Sequence, residues 1–336
     1  TLLSWMKRHV PVVYNSILEA DQESRKHFSG HGSALAQVYN HMIMPLANNR
    51  DKLTQVRWGI KDFEHRFQRK PEGMWLAETA VDLETREIMA ENGIAFTILA
   101  PRQAHRVRQV GSEKWVDVRE GSIDPKMPYR CVLPSGREIT LFVYDGPISQ
   151  ELAYGNRLAN GEGRAHKLTG AVLENGEQPQ LVHIAADGET YGHHQRHGDM
   201  ALAYCLHHLE TNNLATVTVY GEYLEKHSPT HEVEIFENSS WSCIHGVERW
   251  RNDCGCNSGM HQGWNQSFRK PLREAMDWLR DAIIPLYEKE MASFVHDPWA
   301  VRDAYVEVIM DRSTDTIEDF FSRNARRNLS QEEQVR

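Results

Sequence analysis

Short apolar runs alternate with longer stretches in which apolar residues recur at three- and four-residue spacing, and this alternation constrains the fold more than any other feature of the chain. A run of the first kind reads as a buried strand and a stretch of the second as a helix that buries one face. Repeated in series, they form βα units around a parallel sheet. Strands are expected at 32–37, 73–77, 94–99, 139–144, 181–186 and 215–220. Helices are expected at 51–67, where Val56, Ile60, Phe63 and Phe67 share a face, at 198–209, and between Thr79 and Gly93. Thr79 would cap that last helix, with Asp82 at its third position and Gly93 ending it. Leu2, Leu3, Met6 and Val10 mark an amphipathic opening helix. The polar stretch 102–136 reads as an irregular excursion over the barrel mouth. Beyond about residue 230 the pattern changes to a Cys- and Trp-rich loop, 237–264, and then helices at 271–291 and 297–309. The expected organisation is a (β/α) barrel over residues 1–235, followed by the loop and a helical region over 236–336.

The 336 residues, 40% of them apolar in side chain, suffice for a sizeable core. No run approaches the roughly 18 apolar residues of a membrane helix. A net charge of −9 without a basic block argues against nucleic acid as a partner. Five cysteines cannot all pair within one chain, which fits a reducing, cytoplasmic setting. The chain opens on Thr1 inside a helical pattern and closes on a polar run, 328–336, so it reads as truncated at both ends.

Two motifs carry chemistry. Gly73-Met74-Trp75-Leu76-Ala77-Glu78-Thr79 places Glu78 just past a buried strand, and Leu181-Val182-His183-Ile184-Ala185-Ala186-Asp187-Gly188-Glu189 does the same for Asp187. Active sites of βα barrels lie at the carboxyl ends of the strands. Two carboxylates facing each other there suit glycoside hydrolysis, in which one protonates the leaving oxygen and the other attacks the sugar. Singly, each motif has a structural explanation, since a Glu opening a helix complements the dipole and Asp-Gly makes turns. Jointly, both following strands and both accompanied by aromatics, they point to a sugar cleft. Tyr191, His193 and His194 would line it with Glu189.

The runs PEGMWLAETAVDLETREIMAENGIAFTILAPRQA (71–104), LVHIAADGETYGHHQRHGDMALAY (181–204) and ENSSWSCIHGVERWRNDCGC (237–256) resemble glycoside hydrolase family 57, in its bacterial branch with an additional C-terminal domain of unknown function. The resemblance implies a (β/α)7-type barrel followed by a helical bundle, here 236–336, that closes over the barrel mouth. It also implies a retaining hydrolase or transglycosylase acting on α-glucans (amylase, glucanotransferase or branching type) without a cofactor. Residue by residue it makes Glu78, of Trp75-Leu76-Ala77-Glu78, the nucleophile and Asp187, of Asp187-Gly188-Glu189, the general acid/base. The family's His-Gln-Pro motif on the first barrel strand is absent here, so that strand is expected to be missing. Its Gly-x-x-Glu motif falls on Gly32-Ser33-Ala34-Leu35, which carries no Glu. His31 and Gln37 are the substitutes nearby. A barrel impaired in this way is open to a second reading, a carbohydrate-binding homologue with a dead site.

Cys243, His245, Cys254 and Cys256 offer the ligand count of a structural zinc site. The pair Cys254-Gly255-Cys256 is one residue tighter than the usual Cys-x₂₋₄-Cys, so a loop of reduced, partly buried thiols is favoured over metal. His193 and His197 form a His-x-x-x-His, which on a helix can hold a metal as in a polysaccharide deacetylase. Gly192 and Gly198 bracket a loop there instead. Trp75 lies in the nucleophile motif, and Trp241 and Trp264 lie near the junction of barrel and helices, where either can stack on a sugar ring.

Overall fold

The computed structural model describes residues 2–154, 160–173, 179–257 and 259–335. Ser258, inside the expected loop, and Thr1 and Arg336, at the expected truncated ends, lie outside the described residues. The strands are β1 (Ala36–Gln37), β2 (Met74–Trp75), β3 (Phe96–Leu99), β4 (Ala104–Gln109), β5 (Val116–Asp117), β6 (Tyr129–Val132), β7 (Glu138–Val143) and β8 (His231–Ile235). β1 pairs parallel with β2, a bridge from Gly73 to Phe96 joins β2 to β3, and β3 pairs parallel with β7. This parallel wall, with helices Asn49–Phe67 and Leu83–Glu91 following β1 and β2, is the βα series that the alternation predicts.

Helix Asn49–Phe67 opens where Asn48 accepts from the Asp51 amide at 2.8 Å and stops where Gln68 takes a positive φ of 53°. It buries Val56, Phe63 and Phe67 against Ala36, Val38, Met74, Leu76 and Met89, within the main hydrophobic core. Gly59 lies on the same face. A Cβ placed there would stand 2.0 Å from the carbonyl oxygen of Gln37, so the missing side chain is what lets the helix lie directly on β1.

Four expectations are corrected. Residues 102–136 are not an irregular excursion, because β4, β5 and β6 continue the sheet in the order β3-β7-β6-β8-β4-β5. Their charge hid the strands. Arg106 and Arg108 pair across strands with Glu234 and Glu232, each at 2.6 Å, and both guanidinium groups lie over the Trp115 ring. Residues 181–186 run extended beside the end of β7, but only single bonds tie them there, among them Asp145 N–H to the His183 carbonyl at 2.9 Å. At 215–220 there is no strand, and helix Tyr220–Lys226 begins instead. Thr79 caps no helix. Asp82 does, accepting from the Thr85 amide at 2.9 Å at the start of Leu83–Glu91, because Thr79 is held elsewhere.

The C-terminal helices Arg269–Met291, Pro298–Ala304, Val306–Met310, Thr314–Asn324 and Gln331–Val335 form a region with a small core of its own around Val295, Val301, Val308 and Phe320. They dock behind the wall on helix Asn49–Phe67. Arg302 reaches Asp51 at 2.8 Å and the Thr54 hydroxyl at 2.6 Å, Arg57 reaches Asp303 at 2.7 Å, and the Trp58 indole donates to the Asp303 carbonyl at 2.9 Å. None of the described residues beyond Trp241 lines the cleft. No helix of the described residues is long and apolar enough to cross a membrane.

Alanine favours helix over glycine by about 1 kcal/mol. Gly59→Ala is nevertheless expected to lower stability by about 1–3 kcal/mol, because the new methyl must push helix Asn49–Phe67 off β1. A urea denaturation midpoint unchanged or raised in the variant would contradict this contact.

Candidate active site

A cleft of about 700 Å³ opens at the carboxyl ends of β1, β2 and β3. Gln37, Tyr39, Asn40 and His41 form one side, Trp75, Ala77, Ile98 and Trp241 the floor, and Ala185, Asp187, Glu189 and Tyr220 the other side. Below the floor, Phe96, Ile98, Phe142, Tyr144 and Tyr223 make a second apolar core against which Trp75, Trp241 and Tyr220 pack. Trp75 meets Trp241 edge-on, with ring centroids 5.2 Å apart.

Glu78 leaves β2 through two successive tight turns, closed by Thr79 N–H to the Leu76 carbonyl (2.9 Å) and Ala80 N–H to the Ala77 carbonyl (3.0 Å). The central residues of the second turn, Glu78 and Thr79, have φ of 57° and 51°. Left-handed backbone at a non-glycine residue costs roughly 1–2 kcal/mol, and a strained pair of this kind persists only where its surroundings over-determine it. Here they do. The Trp241 amide donates to the Glu78 carbonyl at 3.0 Å, and the Trp241 indole donates to Glu78 Oε2 at 2.8 Å. On the other side of the turn the buried Thr79 hydroxyl donates to Gln103 Oε1 at 2.8 Å. The carboxylate is thus gripped by one oxygen while Oε1 faces His41 Nε2 at 3.7 Å.

Asp187 precedes a single 3₁₀ turn, Gly188–Thr190, at the end of the extended 181–187 segment. Its carboxyl is accessible from the cleft, but partial burial, the Glu189 charge and the Glu78 charge raise its pKa above the ordinary value, against a smaller opposing pull from His194 and His41. Behind this segment His183 is buried between the Tyr220 hydroxyl (2.9 Å) and the Pro125 carbonyl (3.2 Å). Burial pushes its pKa down to about 4, so it is a neutral prop for the segment carrying Asp187. The sequence alone gave no signal for His183 in that role, nor for His41 and Gln103.

Other expected residues fall outside the cleft. His31 lies at the opposite, amino ends of β1 and β2, its ring nitrogens held by Glu72 (2.5 Å) and Glu225 (3.1 Å). Those carboxylates outweigh its burial and raise its pKa. Trp264 is 73% exposed and stacks on His261. Tyr191 packs over the Arg164 guanidinium at 5.8 Å. His193 and His194 are exposed neighbours, of which only His194 is felt by Asp187. His193 and His197 sit on turns, with His197 at a φ of 63°, and gather into no metal-binding group among the described residues. The deacetylase reading therefore lacks its ligand set.

Two groups of metal-binding side chains do form among the described residues, a largely exposed one of Glu162, His166 and His208 and a cysteine-rich one. Ligand atoms of Cys243, His245, Cys254 and Cys256 all lie within 4.8 Å of one another, two residues beyond Trp241.

The family model described as glycosyl hydrolase family 57 matches residues 17–235, and that of a domain of unknown function, DUF3536, matches residues 264–336. The Cys/His loop falls between them. No curated protein matches the chain. Among solved structures, an exo-type maltose-forming amylase from Pyrococcus sp. ST04 is similar at 16% identity and a TM-score of 0.65, over 95% of this chain and 55% of that one. A branching enzyme from Pyrococcus horikoshii is similar at 18% identity and a TM-score of 0.54, over 72% and 55% of the two chains. A 4-alpha-glucanotransferase from Thermococcus litoralis is similar at 15% identity and a TM-score of 0.54, over 95% and 46%. At these identities the likeness is one of fold, and the chain spans about half the length of these relatives.

Strain at the cleft predicts an ordering of variants. Glu78→Gly and Glu78→Ala lose the same bond to Trp241, but only alanine keeps the left-handed penalty. Glu78→Gly should therefore be the more stable by about 1 kcal/mol in urea unfolding. Equal stabilities would show that this turn relaxes freely.

Proposed function

This chain belongs to glycosyl hydrolase family 57, and from that premise we propose that its cleft cleaves or transfers α-glucans with retention of configuration, Glu78 serving as nucleophile and Asp187 as general acid/base. The observation that carries the reading is the asymmetry of the two carboxylates. Glu78 is clamped by Trp241 through one oxygen and faces His41, a residue lining the cleft, with the other, while Asp187 is biased toward its protonated form by burial and by neighbouring acids, Glu78 among them. The names of the similar structures, an amylase, a branching enzyme and a glucanotransferase, supply the substrate class.

In the first step Glu78 Oε1 attacks the anomeric carbon as the glycosidic bond breaks, and the Asp187 proton goes to the departing oxygen. In the second, Asp187 takes a proton from water or a sugar hydroxyl, which displaces Glu78 and regenerates both groups. Trp75 and Trp241 give the floor an aromatic surface of the kind that sugar faces stack on, and Glu189, Gln37 and Tyr39 present hydrogen-bonding groups around it. Five free thiols support a reducing compartment as the place of work.

Glu78→Gln is expected to lower activity on maltooligosaccharides by about three orders of magnitude or more while leaving binding of the glucan intact. Activity retained in that variant would remove Glu78 from the mechanism. Glucan binding by a native chain that turns nothing over would favour the carbohydrate-binding reading instead.

The pH dependence has a defined sign. Because the Asp187 pKa is raised, its acid form persists above the ordinary carboxylate range of about 4, and kcat/KM should fall only as pH rises through that raised value. Removing the Glu78 charge should bring the Asp187 pKa down. Carboxyl carbon titration by NMR in Glu78→Gln tests this, and a pKa that stays put would show that the two groups do not interact.

A further inference from the structure

The loop from Ser239 to Cys256 does two things at once. Its first half carries Trp241, which grips Glu78 from both backbone and side chain. Its second half folds back so that Cys254 and Cys256 meet Cys243 and His245. From this geometry we propose that Cys243, His245, Cys254 and Cys256 bind one structural zinc ion that fastens the Trp241 loop. The inference stands apart from the glycosidase reading, since it concerns residues outside the cleft and between the two matched family regions.

The distances fit zinc and not a disulfide. A tetrahedral zinc with Zn–S near 2.3 Å has sulfur–sulfur edges of about 3.8 Å. Cys243 Sγ lies 3.9 Å from Cys254 Sγ and 3.9 Å from Cys256 Sγ. The His245 Nδ1 atom completes the figure at 3.5 Å from Cys256 Sγ and 4.0 Å from Cys243 Sγ. A disulfide needs sulfurs at about 2.05 Å, and all five cysteines are free. Three sulfurs and one imidazole nitrogen converging on one point form a complete Cys₃His donor set, with no position left over for water, as structural zinc requires.

The backbone is shaped for that convergence. Gly255 has a φ of +82°, a turn that a side-chain residue rarely adopts, and it brings the thiols on either side of it to the same point. This overcomes the tight Cys-x-Cys spacing. Cys243 is 2% exposed, and the loop around it is braced by the Ser240 hydroxyl to the Gly246 carbonyl (2.7 Å), Arg249 to the Ser242 carbonyl (2.8 Å) and Gln266 to the Cys256 carbonyl (2.9 Å). Without a cation three thiols this close cannot all ionise. Zinc would replace their protons and release them on binding.

The test is the metal content of the 336-residue chain, purified under reducing conditions without chelator, saturated with zinc and desalted. About one zinc per chain is expected. Cys254→Ser and Cys256→Ser should lose most of it, whereas Cys205→Ala, remote from the cluster, should keep it. Because the serine variants can also misfold, a second measurement uses the unaltered chain with cobalt in place of zinc. Three thiolates and one imidazole give the intense visible bands and thiolate charge-transfer absorption of tetrahedral cobalt, and titrating the thiols with a mercurial should release the metal. Zinc below about a tenth per chain after saturation would overturn the proposal, as would an octahedral cobalt spectrum. None of these readouts depends on glycosidase activity, so a zinc-free chain and an inactive one are separate results.

Discussion

The side-chain amide of Gln103 holds together the segments on which the cleft depends. It has no exposed surface, and all four of its hydrogen-bonding positions are filled. Its nitrogen donates to the Thr79 carbonyl at 2.9 Å and to the Ser239 hydroxyl at 3.1 Å, and its oxygen accepts from the Ala100 amide at 2.9 Å and the Thr79 hydroxyl at 2.8 Å. One buried residue therefore joins the exit of β2, the exit of β3 and the start of the Trp241 loop. A fully satisfied buried network specifies one arrangement strongly, because any slip leaves a desolvated polar group without a partner. That specificity is what holds Glu78 and Thr79 in left-handed backbone. The strain sits at the carboxylate, and the interactions that offset it lie one layer below.

What could be read from the sequence follows from which interactions are local. The strand exit at Glu78 was legible because an apolar run followed by a carboxylate is a pattern within a few residues, whereas the same pattern before Asp187 marks a segment outside the sheet. The strands at 104–109 and 129–132 were not, because Arg106 and Arg108 look solvated until Glu232, Glu234 and Trp115 are brought beside them from elsewhere in the chain. Thr79 looked like a cap for the same reason, since its actual partner, Gln103, is 24 residues away. His31 and Trp264 were named from neighbourhood in sequence, and the fold sends one to the amino ends of the strands and the other to an exposed stack with His261. The Cys-Gly-Cys spacing argued against metal only so long as Gly255 was given ordinary backbone geometry.

The two proposed catalytic groups differ in how they are held, and that difference suits their tasks. A nucleophile must present one oxygen at a fixed place, and Glu78 is fixed by a strained turn below and an indole beside it. An acid/base must exchange its proton with leaving groups and then with water or sugar, and Asp187 stands on an extended segment with an accessible carboxyl. Its proton is favoured first by partial burial and then by charge. Glu189 and Glu78 favour the proton, and His194 and His41 oppose them. In the proposed mechanism Glu78 would lose its charge once esterified, which would weaken the pull on the Asp187 proton at the stage where Asp187 is to act as a base.

The C-terminal helices act on this arrangement from behind. They lie on helix Asn49–Phe67, where Arg302 and Asp303 hold Asp51, Thr54, Arg57 and Trp58. The opposite face of that helix lies on β1, with the Gly59 backbone against the Gln37 carbonyl, and Gln37 lines the cleft. One helix therefore lies between the C-terminal region and the Gln37 side of the cleft, while the Trp241 loop holds Glu78. The loop joins the barrel to those helices in sequence as well, and a crosslink at its base would keep Trp241 in place against Glu78.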